Sequence, residues 1–350
     1  MEWRLADKHK QKYFDKFDYF MDTNKKGSPN MICADDYKNA LTAAVNTPFR
    51  VVPYFDPGVW GGQWMKEVCG LDKNQKNFAW CFDCVPEENS VLYAFENGTA
   101  EMPSIDIVFF RGRELLGDRV QARFGNEFPI RFDFLDTIEG GNLSLQVHPT
   151  TEYISEHFNM RYTQDESYYI LDTESSDAGV YLGVKKDIVP EEFIDALNNA
   201  QKTGEMDVEK FVNRFPAKKH DHFLIPGGTI HCSGKNTMVL EISSTPYIFT
   251  FKLWDWGRVG LDGKPRPINI GHGKNVIDYK RDTQWAQENL INRFETVASG
   301  DGWVEEKTGL HEREFIETRR HWFEREVFHN TKGSVLSLIH ISEPTRLALI

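Results

Sequence analysis

Four side chains are spaced so that they could bind one metal ion. Gln146 and His148 stand two residues apart in the segment LSLQVHP, so on an extended strand both lie on the same face. Glu166 begins the apolar segment ESYYIL, and His231 follows the Pro-Gly-Gly turn of IPGGTIHC. Two imidazoles, a carboxylate and an amide oxygen suit Zn²⁺ or another divalent transition metal and leave a position for substrate or water. We therefore predict one divalent ion at these residues, although LSLQVH alone is more typical of an edge strand whose polar face meets water.

The segments that carry these residues belong to a long series of predicted β-strands. From about Val51 onwards, short runs rich in β-branched and aromatic residues are separated by Gly, Pro and Asn; they include VVPYF, SVLYAF, IDIVFF, IRFDFLD, LSLQVH, YYILDT, GVYLGV, HFLIP, TMVLEI and YIFTFKLWDW. Many short strands at fairly regular spacing are typical of a β-sandwich or β-barrel. Helices interrupt the series once: one is predicted from Pro190 to Ala200 and a second near Asp207–Phe215, before the strands resume at His222.

The domain organisation predicted from these patterns has four parts. Residues 1–48 are expected to form an N-terminal helical extension, and residues 49–318 a metal-binding domain with a helical insertion at about 189–216. Residues 319–338 have the pattern of a strand, a turn and the beginning of another strand, which predicts a truncated second β-domain. The segment IHISEPTRLALI at 339–350 resembles a translated sequencing-adapter tail, so we expect it to be artefactual.

Composition and charge exclude several classes of partner. The 350 residues include 41 basic and 53 acidic side chains, a net charge of −12, which argues against nucleic-acid or anionic-membrane binding. No apolar run approaches the roughly 18 residues of a membrane span, and the charged start lacks the apolar core of a signal peptide. We therefore expect a cytoplasmic protein, and we expect its five scattered cysteines to be reduced thiols.

Two further pairs of potential ligands are better explained by structure than by metal binding. Cys81 and Cys84 form a C-x-x-C pair, but no second pair of cysteines lies at a useful distance. His220 and His222 have same-face spacing just before the Pro-Gly-Gly turn, where they could supply an alternative ligand or cap a strand. We favour the structural interpretation for both pairs.

The order of the motifs resembles that of the type I phosphomannose isomerase (mannose-6-phosphate isomerase) family over roughly residues 50–275 and again near the C-terminus. The matching segments are Trp60-Gly61-Gly62, NFAWCFDCVPEENSVL, FPIRFDFLDTIEGGNLSLQVHP, DESYYILDT, FLIPGGTIHCSG, VLEIS and WDWGRVGLDGKPR. The resemblance implies a cupin-type jelly-roll barrel, mainly β, with a helical insertion and an N-terminal helical extension. It also implies that Zn²⁺ is held by Gln146, His148, Glu166 and His231.

The resemblance further implies conversion of mannose 6-phosphate to fructose 6-phosphate through an enediol intermediate. A base must then move a proton between C1 and C2, and Glu241, in VLEIS, is the candidate base or a support for one; a paired structural glutamate is an equal alternative. Arg258 matches an arginine near the reacting carbons of the family. Lys252, Lys264 and Arg266 are candidate groups for binding the sugar phosphate, although a basic turn is also typical of a solvated loop.

Two positions differ from the family pattern. Gln164 stands two residues before Glu166, where the family usually has lysine, and Phe82 stands where the family has an acidic residue, with Asp83 one position later. The predicted metal site is intact, so these differences concern the substrate, which could be another phosphosugar or an unphosphorylated sugar. The alternative functions are a cupin oxygenase or epimerase and a non-catalytic or differently specific sugar-binding cupin that retains the metal.

Overall fold

A computed structural model describes residues 34–46, 49, 51–74, 77–95, 98–245, 247–308, 315–330 and 332–337. Its α-helices are α1 (Ala34–Asn46), α2 (Trp64–Val68), α3 (Ser104–Leu116), α4 (Asp118–Phe124), α5 (Thr151–Phe158), α6 (Pro190–Thr203), α7 (Ile270–Gly273) and α8 (Thr283–Asn289). Its strands are β1 (Val51–Val52), β2 (Tyr54–Gly62), β3 (Phe78–Cys84), β4 (Ser90–Phe95), β5 (Gly98–Pro103), β6 (Arg131–Asp136), β7 (Leu145–Val147), β8 (Glu166–Thr173), β9 (Gly179–Val184), β10 (Val212–Pro216), β11 (His222–Ile225), β12 (Ile230–Ser233), β13 (Thr237–Ser243), β14 (Phe251–Trp254), β15 (Glu295–Gly300), β16 (Trp303–Lys307) and β17 (Arg319–Phe323).

Two antiparallel sheets that face each other form the body of the fold. One has five strands in the order β10-β9-β12-β7-β14, and the other has six in the order β11-β8-β13-β6-β3-β2. Side chains alternate along each strand, so one face of each sheet is directed into the space between the sheets. Ile170 and Val239 from the larger sheet and Val180 and Leu182 from the smaller one share a buried apolar cluster. The prediction of a mainly β, cupin-type jelly roll is confirmed.

The predicted helix at Pro190 is present, but the second predicted helix is wrong. Helix α6 begins at Pro190 and ends before Gly204, burying Phe193, Leu197 and Ala200. The segment 207–215 instead forms a 3₁₀ turn at Val208–Lys210, followed by β10, which pairs with β9. Apolar residues at helical spacing misled the prediction there, because pairing with an available sheet edge overrides a weak local pattern.

The segment IDIVFF was predicted to be a strand and is part of helix α3. The helix is kinked at Arg111 and buries Ile107, Val108 and Leu116, whereas Phe109 and Phe110 are 49% and 60% exposed. A six-residue apolar run does not distinguish a strand from one turn of a longer helix.

Two smaller sheets flank the jelly roll. Strands β1, β4 and β5 form a sheet, and Val91 and Met102 of this sheet pack with α1 and α3 in a separate apolar cluster. Strands β15, β16 and β17 form another, so the predicted domain boundary between residues 318 and 319 falls inside this sheet. Residues 1–33 and 47–48 of the predicted extension, and the predicted tail at 339–350, lie outside the described residues.

The described cysteines and helices bear on two further predictions. Cys69, Cys81, Cys84 and Cys232 are thiols rather than disulfides, as predicted, and Cys33 lies outside the described part of the chain. Among the helices that the structure describes, none has the length and apolar character needed to cross a membrane.

Candidate metal centre

The four predicted metal ligands lie together between the two sheets. His148 Nε2 is 3.1 Å from one carboxylate oxygen of Glu166, and His231 Nε2 is 2.9 Å from the other. One ligand atom from each of these three residues lies within 4.8 Å of the other two. The Gln146 amide nitrogen is 3.2 Å from His231 Nε2, and turning this amide by 180° would present its oxygen instead. The four residues that the sequence spacing predicted to lie together therefore do so in the structure.

Strand pairing brings the ligands together. Because β7 pairs with β12, Gln146 lies directly opposite His231. His148 follows β7 by one residue, and Glu166 is the first residue of β8 in the facing sheet. The side chains of His148, Glu166 and His231 are at most 1% exposed. The cluster is thus assembled across both sheets, in a water-poor interior where charge interactions are strong.

The turn before β12 directs His231 into this interior. Gly228 adopts φ +90°, and a side chain there would approach the Val276 carbonyl oxygen to 3.0 Å. Thr229 donates through its backbone N–H and its hydroxyl to the Pro226 carbonyl, closing the turn. Arg281 Nη1 also donates to that carbonyl, at 2.7 Å. The Pro-Gly-Gly sequence and a distant arginine together determine where β12 begins.

Both imidazoles present a lone pair to the cluster. His148 Nδ1 is 2.9 Å from the Phe249 carbonyl oxygen, and His231 Nδ1 is 2.9 Å from the Thr229 carbonyl oxygen. A carbonyl can only accept, so each Nδ1 carries a proton and each Nε2 is an acceptor when the ring is neutral. Hydrogen bonding of this kind at the outer ring nitrogen is typical of metal-ligating histidines.

The donor set fits a divalent cation. His148 Nε2 and Glu166 Oε1 are buried without a hydrogen-bond partner in the described part of the chain, although their neighbours are close. Burial alone would raise the pKa of Glu166, but His148 and His231 outweigh it and lower that pKa, so the carboxylate remains ionised. Buried acceptor atoms that converge in this way suit a cation, either a metal ion or a proton, between them.

A proton competes with a metal for His148. Burial lowers the pKa of its imidazole, but the Glu166 carboxylate more than offsets this, and the net shift is upward. A proton on Nε2 occupies the lone pair that a metal would use. Metal binding at this cluster is therefore coupled to proton release.

Glu241, the candidate base, lies next to the metal cluster on strand β13. The Ser243 hydroxyl is 3.3 Å from the Glu241 carboxylate and 3.5 Å from that of Glu166. Arg131 Nη1 is 3.3 Å from Glu241 Oε1 and 2.9 Å from Asp133 Oδ1. Burial raises the pKa of Glu241 well above its usual range, with Glu166 and Asp133 adding to the effect and Arg131 opposing it.

Two charged residues that were not predicted for the site, Arg131 and Asp133, also lie beside Glu241. Both are buried, and burial raises the pKa of Asp133 to about 7 against the opposing effect of Arg131. The available signal was the alternation in RFDFLD, which puts the two charged residues on one strand face. Their opposition to Glu241 and Ser243 follows from the β6–β13 register, which the sequence pattern does not reveal.

Three of the predicted cationic residues surround Asp255, which is 3% exposed. Arg258 Nη2 is 2.5 Å from one of its carboxylate oxygens, and Arg266 Nη1 is 2.8 Å from the other. Lys252 lies opposite Gln146 in the β14–β7 register, and burial, Arg266 and Arg258 lower its pKa against the effect of Asp255. The ion-pair cluster therefore begins one strand away from the metal ligands.

Lys264 is exposed in the loop that joins Arg258 to Arg266, and its side chain forms no ion pair with a described residue. Its backbone carbonyl accepts a hydrogen bond from the Gly260 N–H at 2.7 Å, which closes the loop. The structure thus brings Lys252, Arg258 and Arg266 together and leaves Lys264 at the surface.

The His220–His222 pair is not part of the metal cluster. His222 is buried on β11, and its ring lies near those of Tyr169 and Phe294. Burial, with a smaller contribution from Arg320, lowers the pKa of His222 to about 3. His222 is therefore a neutral residue of the interior, in agreement with the structural interpretation.

Comparison with known proteins finds relatives named mannose-6-phosphate isomerase. The chain is 28% identical over 232 residues to mannose-6-phosphate isomerase ManA of Bacillus subtilis, covering 66% of this chain and 68% of that protein. It is 26% identical over 221 residues to a mannose-6-phosphate isomerase of Streptococcus mutans, covering 63% and 64%. Separately, residues 1–46 match a family model described as a domain of unknown function (DUF8485).

Solved structures agree with the sequence matches. The mannose 6-phosphate isomerase of Bacillus subtilis superposes with a TM-score of 0.61 at 20% identity, covering 76% of this chain and 78% of that one. A zinc-bound mannose 6-phosphate isomerase superposes with a TM-score of 0.55 at 14% identity, covering 73% and 79%. At these identities the structural matches show that the fold is shared. The relatives found by sequence are themselves named mannose-6-phosphate isomerase. The chain is therefore similar, in sequence and in fold, to mannose-6-phosphate isomerases.

Proposed function

We propose that this protein is a metal-dependent aldose–ketose isomerase that interconverts mannose 6-phosphate and fructose 6-phosphate. The observation that carries the proposal is the convergence of His148, Glu166 and His231 on one point, one strand away from a cluster of cationic side chains. A metal centre beside a site for an anion suits a phosphorylated sugar. Relatives named mannose-6-phosphate isomerase support this substrate.

The proposed metal is Zn²⁺, held by Gln146, His148, Glu166 and His231. Nitrogen and oxygen donors of this kind suit zinc, and the name of a zinc-bound structural relative supports the choice. When bound, the ion would supply Lewis-acid stabilisation of the negative charge that develops on the sugar oxygens at C1 and C2.

Glu241 is the proposed base that carries a proton between C1 and C2, or the support for such a base. Its carboxylate lies on the strand next to Glu166, and the Ser243 hydroxyl lies close to both. Arg131 holds one carboxylate oxygen of Glu241 in place. In its ionised form, which Arg131 favours against the effect of burial, Glu241 would take the proton from one carbon of the sugar and return it to the other.

Arg258 is the proposed cation near the reacting carbons, and Lys252, Lys264 and Arg266 are the proposed contacts of the phosphate. Asp255 orients the guanidinium groups of Arg258 and Arg266 and partly neutralises them. An arginine can bind phosphate oxygens with two parallel hydrogen bonds, whereas a lysine acts as a point charge. Lys264, exposed in the intervening loop, would meet the phosphate from the solvent side.

A second candidate is a differently specific or non-catalytic sugar-binding cupin that retains the metal. One observation favours it: position 164 carries a neutral amide rather than the lysine expected from the family resemblance. That amide is uncharged, and it is buried with hydrogen bonds to Glu166 and to the Phe249 N–H, so its polar atoms are already engaged within the protein.

The test is formation of fructose 6-phosphate from mannose 6-phosphate by the purified protein, measured with a coupling enzyme before and after chelation. Turnover that disappears with the chelator and returns with Zn²⁺ would support the isomerase. Unphosphorylated mannose is the control for the role of the phosphate. Stoichiometric zinc without turnover of mannose 6-phosphate would refute this reaction and favour the second candidate.

A further inference from the structure

The Gln164 side chain contacts both sides of the candidate metal centre. Its Nε2 atom is 3.0 Å from Glu166 Oε2 and 3.2 Å from Ser243 Oγ, and its Oε1 atom accepts a hydrogen bond from the Phe249 N–H at 2.7 Å. The carbonyl of the same Phe249 accepts the Nδ1 proton of His148 at 2.9 Å. A continuous path therefore joins Glu166 to His148 through one amide and one backbone residue.

The orientation of this amide is determined by its partners. The Glu166 carboxylate can only accept, and the Phe249 N–H can only donate. Exchanging the oxygen and nitrogen of Gln164 would set oxygen against carboxylate and N–H against N–H. Gln164 is 2% exposed, so water does not offer an alternative to either contact.

We propose that Gln164 is a positioning residue that sets the separation of Glu166 and His148 and thereby the affinity of the centre for its metal. This inference rests on the metal site of the proposed function and adds a residue to it. Glu166 begins strand β8, whereas His148 is tied to the segment between β13 and β14. The Gln164 side chain hydrogen-bonds to both parts.

Glutamine suits this role better than other side chains of its length. Lysine has donors but no acceptor for the Phe249 N–H. Glutamate would place a second carboxylate against Glu166, and like charges in a buried site repel. Methionine has nearly the same shape as glutamine but neither contact. The chemistry at position 164 therefore predicts that the amide, rather than the volume of the side chain, supports the metal ligands.

The experiment compares Zn²⁺ affinity in the full chain, measured by competition with a chromophoric chelator, for the unaltered protein and Gln164→Met. Gln63→Met is the control, because this partly buried glutamine also makes a side-chain hydrogen bond, donating to Asn77 Oδ1 at 2.7 Å. Loss of a group that orients a metal ligand typically weakens metal affinity about 10–100-fold. We expect that loss for Gln164→Met and less than about a threefold change for Gln63→Met. The absorption spectrum with Co²⁺ as the probe should change for Gln164→Met only.

Gln164→Asn is the second variant, since it stays neutral and polar but is too short to reach both partners. If Gln164→Met does not fold, a similar loss of Zn²⁺ affinity in Gln164→Asn supports the proposal. Folded variants that bind Zn²⁺ as tightly as the unaltered protein overturn it and leave the proposed function intact. Failure of the unaltered protein to bind Zn²⁺ refutes the proposed function, and this role for Gln164 with it.

Discussion

His148 Nε2 and a carboxylate oxygen of Glu166 lie 3.1 Å apart, yet the imidazole nitrogen has no hydrogen-bond partner within the described ranges. Two acceptor atoms lie close together without forming a hydrogen bond when both are directed at a cation between them. The same pattern holds on the other side of the carboxylate, where Glu166 Oε1 faces His231 Nε2 at 2.9 Å. The relationship leads to a direct test of metal binding.

His148→Ala and His231→Ala should each abolish stoichiometric zinc. Each removes a ligand itself, so the loss of affinity should exceed the roughly 100-fold typical of losing an orienting partner. Metal content of the purified protein, measured by mass spectrometry, is the readout. His157→Ala is the control, because His157 is exposed on α5. Full zinc content in either ligand variant would contradict the assignment.

Zinc affinity should fall as the pH is lowered from 8 to 6. The pKa of His148 is raised on balance, because Glu166 more than offsets the effect of burial. The imidazole therefore begins to bind a competing proton at a higher pH than an ordinary histidine does. Competition titrations at pH 8, 7 and 6 measure this. An affinity that does not change over this range would show that His148 is not a ligand.

The clustering of the predicted metal-site residues could be anticipated from the sequence because their signals are local. Gln146 and His148 share a strand face through the two-residue period, and a Pro-Gly-Gly turn precedes His231. Arg131 and Asp133 could not be connected to Glu241 in this way. Their relationship depends on which strands pair and in what register, and this is determined by the packing of the whole sheet.

The misassigned segments have a related cause. The apolar run IDIVFF fits either a strand or a short helix, and it is helical because Ile107 packs with α1, β4 and β5 while Val108 packs with Leu116 and Phe128. The segment at 207–215 has apolar residues at helical spacing, but β9 offers it hydrogen-bond partners along an edge. In both cases contacts remote in sequence decided the local structure.

Glu241→Gln should reduce kcat for mannose 6-phosphate by about 10²–10⁴-fold, the usual contribution of a positioned base. Zinc content should remain stoichiometric, because Arg131 keeps its partner Asp133 and the four metal ligands are unchanged. Steady-state kinetics and metal analysis on the same preparation separate the two effects. Glu192→Gln on the exposed face of α6 is the control. Retained kcat with retained zinc would exclude Glu241 as the base.

Arg266→Met should raise KM for mannose 6-phosphate and change kcat much less. The variant removes one cation from the cluster around Asp255. A hydrogen bond to a charged group contributes about 1.5–3 kcal/mol, so the loss of such a bond to the phosphate should raise KM roughly 10–150-fold. Lys280→Met, at an exposed site elsewhere, controls for the loss of positive charge. An unchanged KM would show that Arg266 does not contact the phosphate.

The stability of the protein should depend on pH through Asp136, away from the metal centre. Asp136 is fully buried and accepts hydrogen bonds from the backbone N–H groups of Met65 and Ile138 at 2.9 and 3.0 Å. Burial outweighs these bonds and raises its pKa to about 6. The folded state therefore keeps a proton that the unfolded chain loses near pH 4, and folding is penalised increasingly as the pH rises from about 4 to about 6.

Asp136→Asn has no such proton, so the stability difference between the variant and the unaltered protein should change with pH. At pH 4 the variant should show its largest deficit, and by pH 7 that deficit should shrink by about 3 kcal/mol, at about 1.4 kcal/mol per pKa unit. Urea unfolding of the metal-free proteins at pH 4, 5, 6 and 7 measures the difference. Asp195→Asn is the control, because Asp195 is exposed on the outer face of α6. A constant difference would mean that Asp136 is ionised in the folded protein throughout, held so by its backbone donors.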